Sequence, residues 1–264
     1  MIYDGKLFME SLPVRIISLA PSITEILFAL GLDEEIIGVT EFCDYPSQAR
    51  LKEKVGGFLE VDVERIKALH PDLILAYGES QESLLRELEG EGKAVWVMNA
   101  RTVDEVLESI NEVGALVGRP SAAHNLTLSL TKRLDEVKRR VSTIPDKAKP
   151  KVLRILDYRS LIIAGPGSVQ YDAIAIAGGK NIALSNSPAY PCITIETLKN
   201  YDPEVVITCE LQLNEAVDML KEYRKKTGID NIRICSIPHG IVCRPGPRVV
   251  ELVEMLSKSL GFRR

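Results

Sequence analysis

The apolar residues of this chain follow two alternating rhythms. Short continuous runs rich in β-branched side chains have the pattern of strands buried on both faces: "VRIISLA" (14–20), "EIIGVT" (35–40), "DLILAY" (72–77) and "KAVWVMN" (93–99). Between them the apolar residues recur at helical spacing. In "SITEILFALGL", Ser22 or Thr24 is placed to cap a helix and Gly31 to end it. Helices are also expected at 63–69, in "ESLLRELEGEG" and in "TVDEVLESINEVGALVG". Strands alternating with helices predict a mainly parallel sheet covered on both faces.

From 121 to about 143 the pattern changes to one long amphipathic helix, "SAAHNLTLSLTKRLDEVKRRVST", followed by the proline- and charge-rich "IPDKAKPK". A helix flanked by no strand, and then a chain break, marks a domain boundary bridged by something stiffer than a flexible linker. The β/α alternation then restarts. "VLRILD" and "IRICSI" read as strands, and "VQYDAIAIAGG", "AVDMLKEYRKKTG" and "VVELVEMLSKSLGF" as helices. Long loops are expected at 41–61, 182–194 and 238–248. The expected organisation is an N-terminal α/β lobe at 1–120, a linking helix and linker at 121–147, and a C-terminal α/β lobe at 148–264. The lobes are Rossmann-like, and a shallow cleft between them is the expected ligand site.

One unit occurs twice. "VERIKALHPDLILAY" (63–77) and "IETLKNYDPEVVITC" (195–209) share a glutamate, a lysine, a proline followed by an acid, and an apolar run. Asp62 precedes the first helix in a capping position and Thr194 the second. Glu64 and Glu196 fall in the two first turns, where a carboxylate complements the helix dipole by about 0.3–1 kcal/mol.

Composition narrows the class. At 264 residues with 45% hydrophobic and 27% charged residues, the chain has enough apolar material for two ordinary cores. A net charge of −4 with scattered Lys and Arg gives no basic stripe, so no nucleic-acid partner is expected. No apolar run reaches the roughly 18 residues of a membrane helix, so no membrane-spanning segment is expected. The first residues lack the basic start, apolar segment and small-residue cleavage site of a signal peptide. Either the protein is cytoplasmic or a targeting segment was removed, and Met9 is an alternative start.

Catalytic signatures are missing: there is no P-loop, no GxSxG elbow, and "GPGSVQ" lacks the third glycine of a dinucleotide fingerprint. No catalytic residue or cofactor is therefore expected. Five cysteines without a CxxC pair do not suggest a disulfide framework or zinc ribbon. Cys209 and Cys235 read as ordinary buried thiols, while Cys43 and Cys243 lie in loops. With three histidines and no HxxxH, no metal site made by the protein alone is expected. His70 reads as a helix-end residue and His124 as a surface residue. His239 is the one histidine in a site-like loop. Aromatics are only 5% of the chain, yet Tyr45, Phe58, Tyr77, Tyr158 and Tyr190 fall in loops or at strand ends. Such rings either pack their own loops or line a wide apolar cleft.

The motifs "ISLAPSITEILFALGL", "CDYPSQA", "DVERIKALHPDLILA", "AGGKNI" and "RPGPRVVELVE" occur in the order found in substrate-binding proteins of ABC importers for cobalamin, siderophores and haem. The chain resembles this family from about 14 to 262, most closely its vitamin B12-binding group. The resemblance implies two α/β lobes on one long helix (the class III periplasmic-binding-protein type) with corrinoid, cobalamin or cobinamide, as transported ligand. It places Ala20 and Pro21 at the turn that lets the ligand approach. Tyr45, Phe58, Tyr77, Tyr190 and Arg244 become ligand contacts, and His239 a candidate ligand to the metal of a bound chelate. Gly240 and Ile241 depart from the family, standing where it has an acid and a tryptophan. Glu64 and Glu196 would dock a permease dimer, and the resemblance implies a periplasmic or cell-surface location. The rival readings are siderophore or haem binding on the same scaffold, and a cytoplasmic corrinoid-handling enzyme or chaperone that uses Cys43, Cys243 or His239.

Overall fold

The computed structural model describes residues 2–3, 6–7, 12–78, 86, 88–89, 93–183, 186–229 and 231–262. It has two compact units. The first comprises 1–99 and 107–129, the second 100–106 and 130–264. Two-residue strands β1 (Ile2–Tyr3) and β2 (Lys6–Leu7) form a small antiparallel ribbon.

The first unit is built on β3 (Ile16–Ser18), β4 (Ile36–Val39), β5 (Leu73–Tyr77) and β6 (Ala94–Met98), in the order β4-β3-β5-β6. Every pairing is parallel, so all four strands end on one edge. The strands bury both faces, which explains their uninterrupted apolar runs. Ile17, Leu19, Ile74, Ala76, Val55 and Ile66 form the core on one side. Helix α1 runs Pro21–Ala29 and α2 Val63–Ala68. The expected side-chain cap on α1 is not made, because the helix starts a residue early with Pro21 in its first turn. The Thr24 hydroxyl instead donates to Ser18 Oγ (2.8 Å) and lies 3.2 Å from Ala20 O. The helix expected in "ESLLRELEGEG" falls largely outside the described residues.

Helix α3 (Val103–Leu116) and the 23-residue α4 (Pro120–Ser142) follow. At 1.5 Å per residue α4 spans roughly 34 Å. The division between units falls inside this helix, after 129, rather than at its ends. Residues 100–106 belong with the second unit because Val103 N donates to Asp172 Oδ2 (2.8 Å) and Lys138 pairs with Asp104 (3.5 Å).

The second unit carries β7 (Lys151–Asp157), β8 (Ile162–Ile163), β9 (Lys180–Asn181), β10 (Val205–Cys209) and β11 (Arg233–Ile237). The order is β11-β10-β7-β8, with β9 also on β7, and only β8 is antiparallel. Its helices are α5 (Val169–Ile176), α6 (Ile195–Tyr201), α7 (Leu213–Thr227), α8 (His239–Val242) and α9 (Val249–Ser259). The four-residue α8 lies where a loop is expected.

The sequence repeat is a repeat in three dimensions. Asp62 Oδ1 accepts from Arg65 N (3.0 Å) to cap α2, and Thr194 Oγ1 accepts from Thr197 N (3.1 Å) to cap α6. Both helices end at a residue in the left-handed region before the proline, His70 (φ 46°) and Asp202 (φ 49°). The acid after each proline fastens the first central strand of its unit. Asp72 Oδ2 accepts from Val14 N and Arg15 N (3.0 Å each), and Glu204 Oε2 accepts from Lys151 N (2.7 Å).

Candidate functional site

Parallel strands place their carboxyl ends on a common edge, and the loops that leave this edge are where open α/β sheets bind ligands. In the first unit, Ala20 and Pro21 lie just beyond β3, after Leu19; Ala20 is buried and Pro21 partly so. Tyr77 is the last residue of β5, paired in register with Met98, and half-buried. Tyr45 is 48% exposed on the loop after β4. That loop is anchored from beneath by Cys43, whose Sγ lies 3.1 Å from Thr24 Oγ1 and 3.2 Å from Thr40 Oγ1. Lys54 Nζ adds bonds to Cys43 O (3.2 Å) and Ala49 O (3.1 Å). Burial pushes the Cys43 thiol up from its ordinary pKa despite these hydrogen bonds, which suits a structural thiol better than a reactive one.

Phe58 sits at the tip of a turn closed by the Gly56–Val61 bridge and by Gly57 N donating to Glu60 O (2.9 Å). Gly56 has φ +99°, and a Cβ there would lie 2.6 Å from Glu60 O, so only glycine fits. Phe58 is half-buried. Phe42 (56% exposed) and Leu59 (69%) extend the same apolar loop surface. Both lie in the same 41–61 loop as Tyr45 and Phe58, which is the one signal of them in the sequence.

In the second unit, Tyr190 is 48% exposed on a loop held to the sheet by Gly165 N→Ala189 O (2.8 Å) and Ile163 N→Pro191 O (3.0 Å). Local burial pushes the Tyr190 phenol up, and nearby Cys243 adds to the shift. Arg244 is buried, not extended into solvent as a free cation would be. His239 begins α8 and is half-buried. Its backbone N donates to Glu210 Oε1 (3.2 Å).

The register of β10 and β11 brings together residues that lie far apart in sequence. Cys209, the last residue of β10, pairs with Ile237, two residues before His239. Cys209 Sγ and His239 Nδ1 are 3.3 Å apart. Cys243, one helical turn after His239, completes a group whose donor atoms all lie within 4.8 Å of one another. Beside it is Arg154, 2% exposed in the middle of β7, with Nη2 3.8 Å from Cys243 Sγ and Nη1 3.4 Å from Ile207 O. Burial pushes the Cys243 thiol up, and the Arg154 guanidinium opposes that shift. Burial likewise pushes up the neighbouring Tyr158 phenol. Cys209 is the buried thiol that its strand position predicts, and what sequence alone does not show is its proximity to His239, Cys243 and Arg154. The one readable signal is an arginine inside an otherwise apolar strand.

Glu64 and Glu196 are both exposed, each in the first turn of its capped helix. Glu64 pairs with Lys67 (3.1 Å) yet keeps a side chain 85% exposed.

Two α/β units sharing one long helix, with aromatic and polar side chains on the loops at their sheet edges, define a solute-binding class of protein. A family model for periplasmic binding proteins matches residues 16–233, and the chain belongs to that family. It is 28% identical to an uncharacterised ABC transporter substrate-binding lipoprotein, YvrC, of Bacillus subtilis, over 94% of this chain and 80% of that protein. It is 26% identical to the vitamin B12-binding protein of Photorhabdus laumondii, over 94% of this chain and 88% of the relative. Among solved structures it is similar to the periplasmic vitamin B12-binding protein BtuF of Vibrio cholerae, with a TM-score of 0.80, 25% identity, and coverage of 94% of this chain and 96% of that one. A periplasmic haem-binding protein of Pseudomonas aeruginosa shares the fold, with a TM-score of 0.81 at 22% identity over 94% of this chain and 93% of that one.

Proposed function

We propose that this chain is the non-catalytic binding component of an ABC importer, carrying a corrinoid, cobalamin or cobinamide, to a permease dimer. The observation that carries the reading is the near full-length match to vitamin B12-binding relatives. The side chains are consistent with it. Tyr45, Phe58 and Tyr77 lie on the loops and strand ends of one sheet edge, and Tyr190, His239 and Arg244 on the other. Flat ring surfaces with few charges suit a large, mostly apolar chelate. An anionic siderophore would call for several accessible cations, and Arg244 is buried. A corrinoid-handling enzyme working through Cys43 gains little support, since that thiol is buried and engaged by two threonines. The same reading places the protein at the periplasm or cell surface, where its relatives are named as periplasmic or as a lipoprotein.

The test is direct. Purified protein is mixed with cyanocobalamin, dicyanocobinamide or haem, desalted, and its visible spectrum recorded. Corrinoid absorption retained at about one per chain is the expected result. Retention of haem alone moves the cargo to the other ligand class found on this fold. A colourless protein in every case removes the proposal.

A further inference from the structure

We propose that Cys209, His239 and Cys243 form a binding site for a soft metal ion of the thiolate-seeking class, Zn(II) or Cu(I). Two thiols and an imidazole are the donor set such ions prefer over oxygen ligands. The spacing fits. Metal–sulfur bonds of about 2.3 Å and metal–nitrogen bonds of about 2.0–2.1 Å set tetrahedral donors roughly 3.5–3.8 Å apart. Here Cys209 Sγ and His239 Nδ1 are 3.3 Å apart, and all three donors lie within 4.8 Å of one another. Small side-chain adjustments enclose an ion and leave its fourth position open.

The donors stand on fixed ground. Cys209 ends a central strand. His239 and Cys243 are four residues apart across one turn of α8, and that spacing puts both on one face. Cys209 is buried, His239 half-buried and Cys243 accessible to solvent, which gives an ion a route in.

Arg154 supplies the second, independent observation. Its guanidinium is almost fully buried, its Nε has no hydrogen-bond partner, and no carboxylate pairs with it among the described residues. A buried cation without a counter-charge is unfavourable, and Cys243, a group able to become an anion, lies 3.8 Å from Nη2. Ligation turns both thiols into thiolates, their protons passing to solvent. With Cu(I), the two thiolates, the ion and Arg154 sum to zero charge. With Zn(II) one positive charge remains, which an anion in the open position neutralises. The site shares His239 with the side chains proposed for the cargo, yet its test does not depend on which cargo is carried, because the probes are inorganic ions.

The full chain is reduced, stripped with a chelator, and titrated separately with Zn(II) and with Cu(I) against a competing chromophoric chelator. One ion per chain is expected for at least one metal, and the arm that binds identifies it. Cys243→Ser and His239→Gln, both at positions with solvent access, should each weaken binding by more than about 100-fold, beyond the 10–100-fold typical of outer-sphere changes. Cys43→Ser, in the other unit, should leave it unchanged. Melting curves for each variant separate loss of the site from loss of the fold. Absence of stoichiometric binding by both ions in the reduced wild type, or full binding in folded Cys243→Ser and His239→Gln, overturns the proposal.

Discussion

Phe58 and Tyr190 present rings from loops whose backbones are already tied down, Phe58 by the bonds across its turn and Tyr190 by two bonds to the β8 segment. A ring held this way loses little further freedom on meeting a ligand, so its contact area converts efficiently into affinity. Phe58→Ala and Tyr190→Ala are each expected to weaken corrinoid binding by about 1–3 kcal/mol in calorimetric titration, with melting temperature nearly unchanged. Equal affinity in both variants would show that the rings only dress their own loops. At this scale the sequence was readable where residue type is informative by itself: a tyrosine or phenylalanine in a polar loop stands out without a structure. It was unreadable where proximity decides. Cys209 and His239 lie thirty positions apart, and only the parallel register of β10 on β11 makes them neighbours. Arg154 was visible as a charge within "VLRILD", but its meaning depends on which groups from distant parts of the chain pack against it.

The repeated helix-to-strand element shows how much a short pattern fixes. Its cap, its left-handed residue before proline, and the acid that binds the start of the neighbouring strand recur at equivalent positions in both units. Each of these satisfies backbone groups that the helix ends and strand starts would otherwise leave unpaired. Asp62→Ala and Thr194→Ala should therefore each cost about 1 kcal/mol of stability, read as a lower denaturant midpoint with an unchanged slope. Ligand affinity is expected to hold, since both side chains are engaged in capping their own helices. Most elements were legible because apolar periodicity and Gly or Pro punctuation agree along the chain. Exceptions occur where punctuation had another use. Pro21 starts α1 instead of preceding it, and α8 forms within a stretch that Pro238, Gly240 and Pro245 mark as loop. Domain limits read from composition also shifted, because Asp172 and Lys138 draw 100–106 into the second unit through contacts between distant residues.

For the whole molecule, the duplicated unit places one exposed glutamate on each half: Glu64 beside Lys67 in the first, Glu196 in the second. The helix dipole accounts for an acid in either first turn, at about 0.3–1 kcal/mol. A permease built as a two-fold dimer offers the same basic surface twice and would be met by the same acid presented twice. Such pairs chiefly govern orientation and encounter rate. Glu64→Ala and Glu196→Ala should leave corrinoid affinity intact while slowing uptake by cells that carry the matching permease. The double variant should be much slower than either, since orientation depends on both contacts. Lys replacements sharpen the comparison, because a lysine facing a basic surface repels it where alanine merely fails to attract. A dipole role alone gives a different pattern: a stability loss of at most about 1 kcal/mol per site, with delivery normal once the chain is folded. Uptake measured beside melting temperature separates the two, and normal uptake by the double Lys variant would leave Glu64 and Glu196 as inherited capping residues with no part in docking.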